Sequence, residues 1–558
     1  VFTAQGLISE ATKLYERCIE LRPEDPRAYN GLGNIYSQLD KSDEAIEAFI
    51  KAIEIDPKWA TPRCGLGNVY RSLERFDEAL SMYHRALYLD PSFAQAYMGS
   101  GYIDIILKRP NQAVMLFQKA LALEKNNPEI HRALGTAFLQ LGQSEKAIES
   151  YRQSLALNAN QPEVYCYLGD IFKNRNQIQD ALRAYELSIE KNPQFVKALY
   201  GLGQIWLTLK EFEKAGAIFN QAVQANPRYA PAFFGFGEVN KNLGNHEIAL
   251  SYYEQALNLD PENPEYLHNV GATYLALGRV QDALRPLQES IKIDPNRALA
   301  HSDLGDAYRL LKRTDVAIIA FERAIRVDRK CIHPYVGLGE IYLQKGKPHE
   351  AFIHFEKATR LAPNDPEAYI GAGAAYASLM DRERAMSAFK KSIAIDPTNE
   401  KAFIGLGNIY RDLGKLQDAR LAYEKAVELD PSNSIPYGSL GDVLNSLEEY
   451  TQAVEIYKKA IQLDPQDAFS HGSLAGIYEK IGQMEQYEKH ISIARRLLEN
   501  DSEYNRACLE SISGNVGEAI SLLKNAIQSG QIDLSWIKQD PDFDFIRQNP
   551  RFRELISD

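Results

Sequence analysis

The chain has 558 residues, 45% hydrophobic and 25% charged, with a net charge of −12. That balance is typical of a folded protein with a water-facing surface, and an acidic excess argues against a sequence-independent grip on nucleic acid, which needs clustered Lys and Arg. No apolar run reaches the roughly 18 residues of a membrane span, so no membrane insertion is predicted.

In chain order, residues 1–25 read as the second part of a helical repeat. Ala11, Tyr15, Cys18 and Pro23 fall on second-helix positions and Phe2 on a first-helix aromatic position. Val1 would then lie in mid-helix, so polypeptide is expected upstream. Residues 26–59 give the template. Tyr29, Leu32, Gly33 and Tyr36 recur at three- and four-residue spacing and predict one helix. A polar turn is expected at residues 40–43. A second helix then carries Ala45, Phe49, Ala52 and Ile53 inward and stops before Pro57, since proline cannot continue it.

This unit repeats every 34 residues. Asn-Gly-Leu-Gly-Asn-Ile-Tyr at 30–36 becomes Cys-Gly-Leu-Gly-Asn-Val-Tyr at 64–70 and Ile-Gly-Leu-Gly-Asn-Ile-Tyr at 404–410. Copies begin at residues 26, 60, 94, 128, 162, 196, 230, 264, 298, 332, 366, 400, 434 and 468. The eighth-position glycine and the second-helix alanine fail only in the last, at Ala475 and Tyr487. On these residues the chain resembles the tetratricopeptide repeat family, over about nine-tenths of its length.

The predicted fold is therefore all-α: a right-handed superhelical solenoid of antiparallel helix pairs. Its divisions are a partial repeat at 1–25, fourteen repeats at 26–501, a shortened repeat at 502–531 and capping helices at 532–558. The tail, with Phe543, Phe545 and Phe552, resembles the closing segments of many bacterial members and is expected to cover the last repeat.

No feature of the sequence carries chemistry. The repeated Gly-x-Gly lies inside a helix and lacks the third glycine of a dinucleotide loop. Phosphate-loop, nucleophile-elbow and His-Glu-x-x-His motifs are absent. The five cysteines form no Cys-x-x-Cys, and His349 and His354 lie five apart, on different helix faces. No enzyme activity, cofactor or metal is predicted. A reducing cytoplasm is the simpler compartment; a periplasmic placement stays open, because an export signal would precede Val1. Most of the 31 tyrosines occupy aromatic slots of the repeat and read as core.

The resemblance implies that first helices line a concave groove for a protein or peptide ligand. Position nine of each copy should face it, giving Asn34, Asn68, Tyr102, Asp170, Glu238, Asp306 and Asn408, and position twelve adds Arg71, Lys173, Lys241, Arg309 and Arg411. Asp170 with Lys173, Glu238 with Lys241, and Asp306 with Arg309 are acid–base pairs at i, i+3. Two readings stay open: local helix support, or a polar ladder for an extended peptide backbone.

The family's carboxylate clamp and the asparagine ladder of its O-linked N-acetylglucosamine transferases have no matching residue sets here. Copy 94–127 differs from the rest. Met98, Tyr102, Ile105 and Ile106 make its groove positions apolar, flanked by Arg71 and Arg132. This patch is expected to be an exposed partner anchor, or else to be re-buried. The proline-poor junctions near 126–127 and 158–160 are expected to bend. The module is read as the recognition arm of a larger protein, with a stand-alone scaffold as the alternative.

Overall fold

The computed structural model describes residues 5–529, 532, 534–538, 540–543 and 545–557. The expectations placed on Val1 and Phe2 lie outside them, as do residues 530 and 531 of the shortened repeat. Every regular element among the described residues is helical. The fold is an all-α solenoid of antiparallel helix pairs.

The first full copy comprises helices Pro26–Gln38 and Ser42–Ile55. Three local devices set these bounds. Asp25 accepts the Arg27 N–H at 3.0 Å, ahead of a proline whose missing N–H is no loss in a first turn. Asp56 ends the second helix and accepts the Lys58 N–H at 3.0 Å; Asp90, Asp294, Asp396, Asp430 and Asp464 do the same for their own turns. Between the helices Asp40 takes a φ of 55°, and Gly142, Gly244 and Gly278 occupy the same register. This left-handed residue reverses the chain within residues 39–41. The expected turn at 40–43 is thus shorter, and Asp43 and Glu44 instead sit in the first turn of the next helix, where its dipole favours acids.

Packing explains the Gly-x-Gly. A Cβ on Gly33 would come 2.8 Å from the Phe49 ring of its own copy, and one on Gly65 2.5 Å from the same ring. Phe49, Tyr83, Tyr185, Phe219, Phe321, Phe355 and Phe389 are gripped in this way between glycines of two successive first helices, whereas Phe117 and Tyr151 meet a glycine of their own copy alone. Copy 468 has Ile491 in place of the ring and Ala475 in place of the glycine, whereas copy 264 has Leu287 and keeps Gly271.

The chain forms two compact units, Val1–Thr273 and Tyr274–Asp558. Within the first, helix Pro26–Gln38 touches Thr61–Ser72, which touches Ala94–Ile106. Within the second, Ala298–Leu310 touches His333–Gln344, which touches Pro366–Ser378. Second helices of successive copies make no comparable contact among the described residues. First helices therefore form the closer-packed, inner wall of each unit. At the C-terminal end, helices Glu503–Ile512 and Val516–Gln528 bury Ala507, Ala519 and Leu523 beneath Phe543, Ile546 and Phe552.

The expected bend at residues 158–160 is tied down. Gln161 is buried and donates to Asn158 O at 2.7 Å and Ser154 O at 3.1 Å, so its amide replaces the missing proline as the brace. At the 126–127 junction, Asn127 donates to Glu124 Oε2 at 2.7 Å and accepts the Glu129 N–H at 3.0 Å.

Candidate interaction surface

The inner wall is built from position-nine side chains whose setting depends on the second helix behind them. Where position 24 is tyrosine, its hydroxyl passes between the helices and donates to position nine of the same copy. Tyr83 donates to Asn68 at 2.7 Å, Tyr185 to Asp170 at 2.6 Å and Tyr423 to Asn408 at 2.6 Å. Tyr253 to Glu238 (2.5 Å) and Tyr457 to Asp442 (2.6 Å) are the same bond, and Tyr151 meets Thr136 at 3.1 Å. Burial, and for several of them the acidic acceptor, pushes these phenols up, those of Tyr83 and Tyr423 to about 12. Where position 24 is phenylalanine, as at Phe49 and Phe321, Asn34 and Asp306 have no such donor.

This bond orients the wall. An asparagine whose Oδ1 is engaged from behind turns its Nδ2 donors outward, so Asn68 and Asn408 offer N–H groups to the inner surface. The polar ladder is thus partly a set of core braces. No signal in a single repeat shows this; only the pairing of positions nine and 24 across copies does.

The predicted acid–base pairs divide. Lys241 bonds Glu238 at 2.9 Å and Arg309 bonds Asp306 at 3.0 Å. Arg309 also reaches Glu340 of the next copy at 3.1 Å. Burial nevertheless raises Asp306 and Glu340 from their ordinary values, with Arg309 opposing it. Asp170 accepts the Tyr185 hydroxyl and forms no ion pair with Lys173, whereas Glu238, one methylene longer, accepts Tyr253 and Lys241 together. Arg411 stands 3.7 Å from Asp442 of the following copy.

Copy 94–127 corrects an expectation. Met98 is only 7% exposed and joins Ala94, Ile130 and Ala133 in the core, because the next first helix packs over it. Tyr102 and Ile105 are half-buried against the same cluster, and only Ile106 is exposed. The Tyr102 ring meets Phe117 edge-on at 5.4 Å and lies beneath the Arg71 guanidinium at 5.6 Å. Of the apolar set, Met98 is thus re-buried, Tyr102 and Ile105 are partly covered, and Ile106 alone stays exposed.

Three features escaped the sequence reading. A cavity of about 350 Å³ opens between helices Ser434–Ser446 and Ala468–Lys480, lined by Ile435, Gly438, Asp442, Asp467 and Phe469. It exists because position five is Gly438, where other copies place Met98 or Tyr200. Next, His471 and His490, 19 residues apart, meet at 2.9 Å between their Nδ1 atoms. Finally, Cys508, Asp540 and Asp542 cluster under the C-terminal cover. Their polar atoms are used internally: the Tyr504 hydroxyl donates to Asp540, as does the Asp542 N–H at 2.9 Å.

Sequence comparison agrees with this architecture. The tetratricopeptide repeat model matches residues 26–58 and 60–93, and a further TPR repeat model matches residues 1–40. The model of the cilia and flagella-associated protein 70 C-terminal domain matches residues 106–307 and 297–509, more than half of the chain. The chain belongs to the tetratricopeptide repeat family. No curated protein matches it. This tetratricopeptide array is similar to a chain in the crystal structure of the APC/C hetero-tetramer Cut9-Hcn1, with a TM-score of 0.50 at 15% identity. The match covers 88% of this chain and 99% of that one, and at this identity the likeness is one of fold. No helix among the described residues is long and apolar enough to cross a membrane.

Proposed function

We propose that this tetratricopeptide array is a non-catalytic interaction module that holds an extended protein or peptide segment along its first-helix wall. The observation that carries this reading is the orientation imposed by the position-24 tyrosines. In the first unit Asn68 presents amide donors and Asp170 and Glu238 hold carboxylates at one register of the repeat; in the second Asn408 and Asp442 do the same. An extended backbone offers alternating carbonyls and N–H groups that such a row can bind. A related fold occurs as part of a hetero-tetramer in the Cut9-Hcn1 structure, which supports an assembling role. Acids alternating with bases disfavour nucleic acid as the ligand. The five cysteines stand free, which fits a reducing compartment such as the cytoplasm.

Crosslinking mass spectrometry on the protein purified with its native partners tests the proposal. Crosslinks should concentrate on first helices, at lysines such as Lys173, Lys241 and Lys401. Crosslinks confined to second helices would refute it. A recognition arm and a stand-alone scaffold would use the wall alike, and the mass of the native polypeptide separates them.

A further inference from the structure

The inner wall of the second unit changes character at copy 434. Copies 332, 366 and 400 place Val336, Ile370 and Ile404 at position five, and His333, Glu367 and Lys401 at position two. The next two copies reverse this: position five is Gly438 and Gly472, and position two is Ile435 and Phe469. At Gly472 the Leu509 side chain of helix Glu503–Ile512 takes the place a Cβ would fill. At Gly438 no side chain does, and the atoms nearest that point are Ser470 Oγ at 3.3 Å and Asp467 Oδ2 at 3.8 Å. The cavity of about 350 Å³ between helices Ser434–Ser446 and Ala468–Lys480 is the result. Its lining joins Ile435 and Phe469, 64% and 37% exposed, to the carboxylates of Asp442 and Asp467.

We propose that this cavity takes the basic side chain of a partner segment, its aliphatic stem against Ile435 and Phe469 and its cationic head at Asp442 and Asp467. This rests on the groove reading above and gives it a place and a chemical class of ligand. Lysine and arginine need both halves of such a lining, apolar surface along the stem and acceptors at the tip. Tyr457 occupies Asp442 Oδ1, while Arg411 stands 3.7 Å from Oδ2, beyond hydrogen-bond distance. The Asp442 side chain is 46% exposed, so a ligand reaches it without any helix moving. Asp467 holds the Phe469 and Ser470 N–H groups on Oδ1 and the Ser470 hydroxyl on Oδ2. A carboxylate has about four acceptor sites, so Oδ2 can take a further donor where it faces Gly438.

Charge complementarity selects this occupant. A wholly apolar side chain would strip water from Asp442 and Asp467 and return no hydrogen bond. An acidic one would meet like charge, whereas a cation is also drawn in by a chain of net charge −12. Helix Ser434–Ser446 contains no Lys or Arg that could fill the space itself. In the first unit position five is filled by Met98, Tyr200 and Phe234.

Fluorescence anisotropy tests this with a labelled peptide of alternating Lys and Leu and its Gln-for-Lys counterpart. The wild-type chain should bind the Lys peptide in preference to the Gln peptide. Gly438→Ile restores the side chain that Ile404 supplies one copy upstream. Asp442→Asn keeps an acceptor for Tyr457, as Asn408 does for Tyr423. Each should weaken binding of the Lys peptide about tenfold or more. Glu455→Gln removes the same charge from the exposed face of helix Tyr450–Leu463 and should leave binding within about twofold. Circular dichroism confirms that each variant folds. Four results overturn the proposal: no binding of the Lys peptide by the wild-type chain, equal binding of both peptides, wild-type affinity in Gly438→Ile or Asp442→Asn, or an equal loss in Glu455→Gln. Self-association of the wild-type chain in sedimentation, abolished by Gly438→Ile, overturns it in favour of a second copy at the cavity. If native crosslinks stay on the first-helix wall while the peptide tests fail, the basic ligand is wrong and the groove reading stands.

Discussion

Tyr185 and Asp170 lie 15 residues apart on the two helices of one repeat, joined by a 2.6 Å hydrogen bond from the phenol to the carboxylate. The bond places a core residue in control of a surface residue. It recurs as Tyr83 with Asn68 and Tyr423 with Asn408. Tyr185→Phe should therefore cost about 1 kcal/mol, and a double-mutant cycle with Asp170→Ala should show coupling of similar size. Urea midpoints of the four proteins check this; strict additivity would mean the bond contributes nothing.

Glycine at the gripped ring should behave opposite to glycine in open space. Gly65→Ala drives a methyl into Phe49 and should destabilise by about 1–3 kcal/mol. A methyl added at Gly216, inside helix Phe212–Ala225, would meet nothing within 4 Å, so Gly216→Ala should stabilise by up to about 1 kcal/mol. Thermal melts of the two variants should move in opposite directions.

The histidine pair predicts acid sensitivity in copy 468–501. Burial, then the neighbouring His471, lowers His490 to about 4 from its ordinary 6.5, and burial also lowers His471. Asp467 faces His471, while Lys489 and Lys458 face the pair and further disfavour protonation. A depressed histidine contributes stability that is full above pH 6.5 and lost as pH falls towards 4. Hydrogen exchange over helices Ala468–Lys480 and Met484–Leu497 should accelerate across that window, and less so in His490→Gln.

Asp542 carries the opposite sign. Burial, then Asp540 and Asp442, raises it to about 7 from 3.8. Its contribution to stability is full below 3.8 and lost as pH rises through 7. Asp542→Asn should therefore raise the urea midpoint at pH 8 relative to wild type and bring no such gain at pH 4.

The cysteines should separate by exposure. Cys18 is exposed, whereas Cys64 and Cys166 are buried and pushed up to about 12, and burial raises Cys508 as well. A thiol reagent at pH 8, read by peptide mass mapping, should label Cys18 in the native chain and the three buried thiols only after denaturation.

The helix pairs were legible because they follow from local patterning: apolar residues at three- and four-residue spacing, Asp-Pro stops, and small residues at fixed offsets. Glu238 with Lys241 and Asp306 with Arg309 were legible for the same reason, being one helical turn apart. Asp170 with Lys173 has the same spacing and no ion pair, while Asp170 bonds Tyr185 of the other helix, a partner that helical spacing does not reveal.

A period of 34 was enough to determine the repeat and which helix begins each copy, since both depend on residues that are neighbours along the chain. What each side chain does was decided between helices. Met98 went inward because the next copy covers it, Asn68 turned its amide outward because Tyr83 holds its oxygen, and Arg71 came to lie over the Tyr102 ring. Asn68 and Tyr83 are 15 residues apart and Arg71 and Tyr102 31, and the geometry of such contacts depends on how closely helices approach. Where a ring lies between two glycines, as Phe49 does between Gly33 and Gly65, their missing side chains permit that approach.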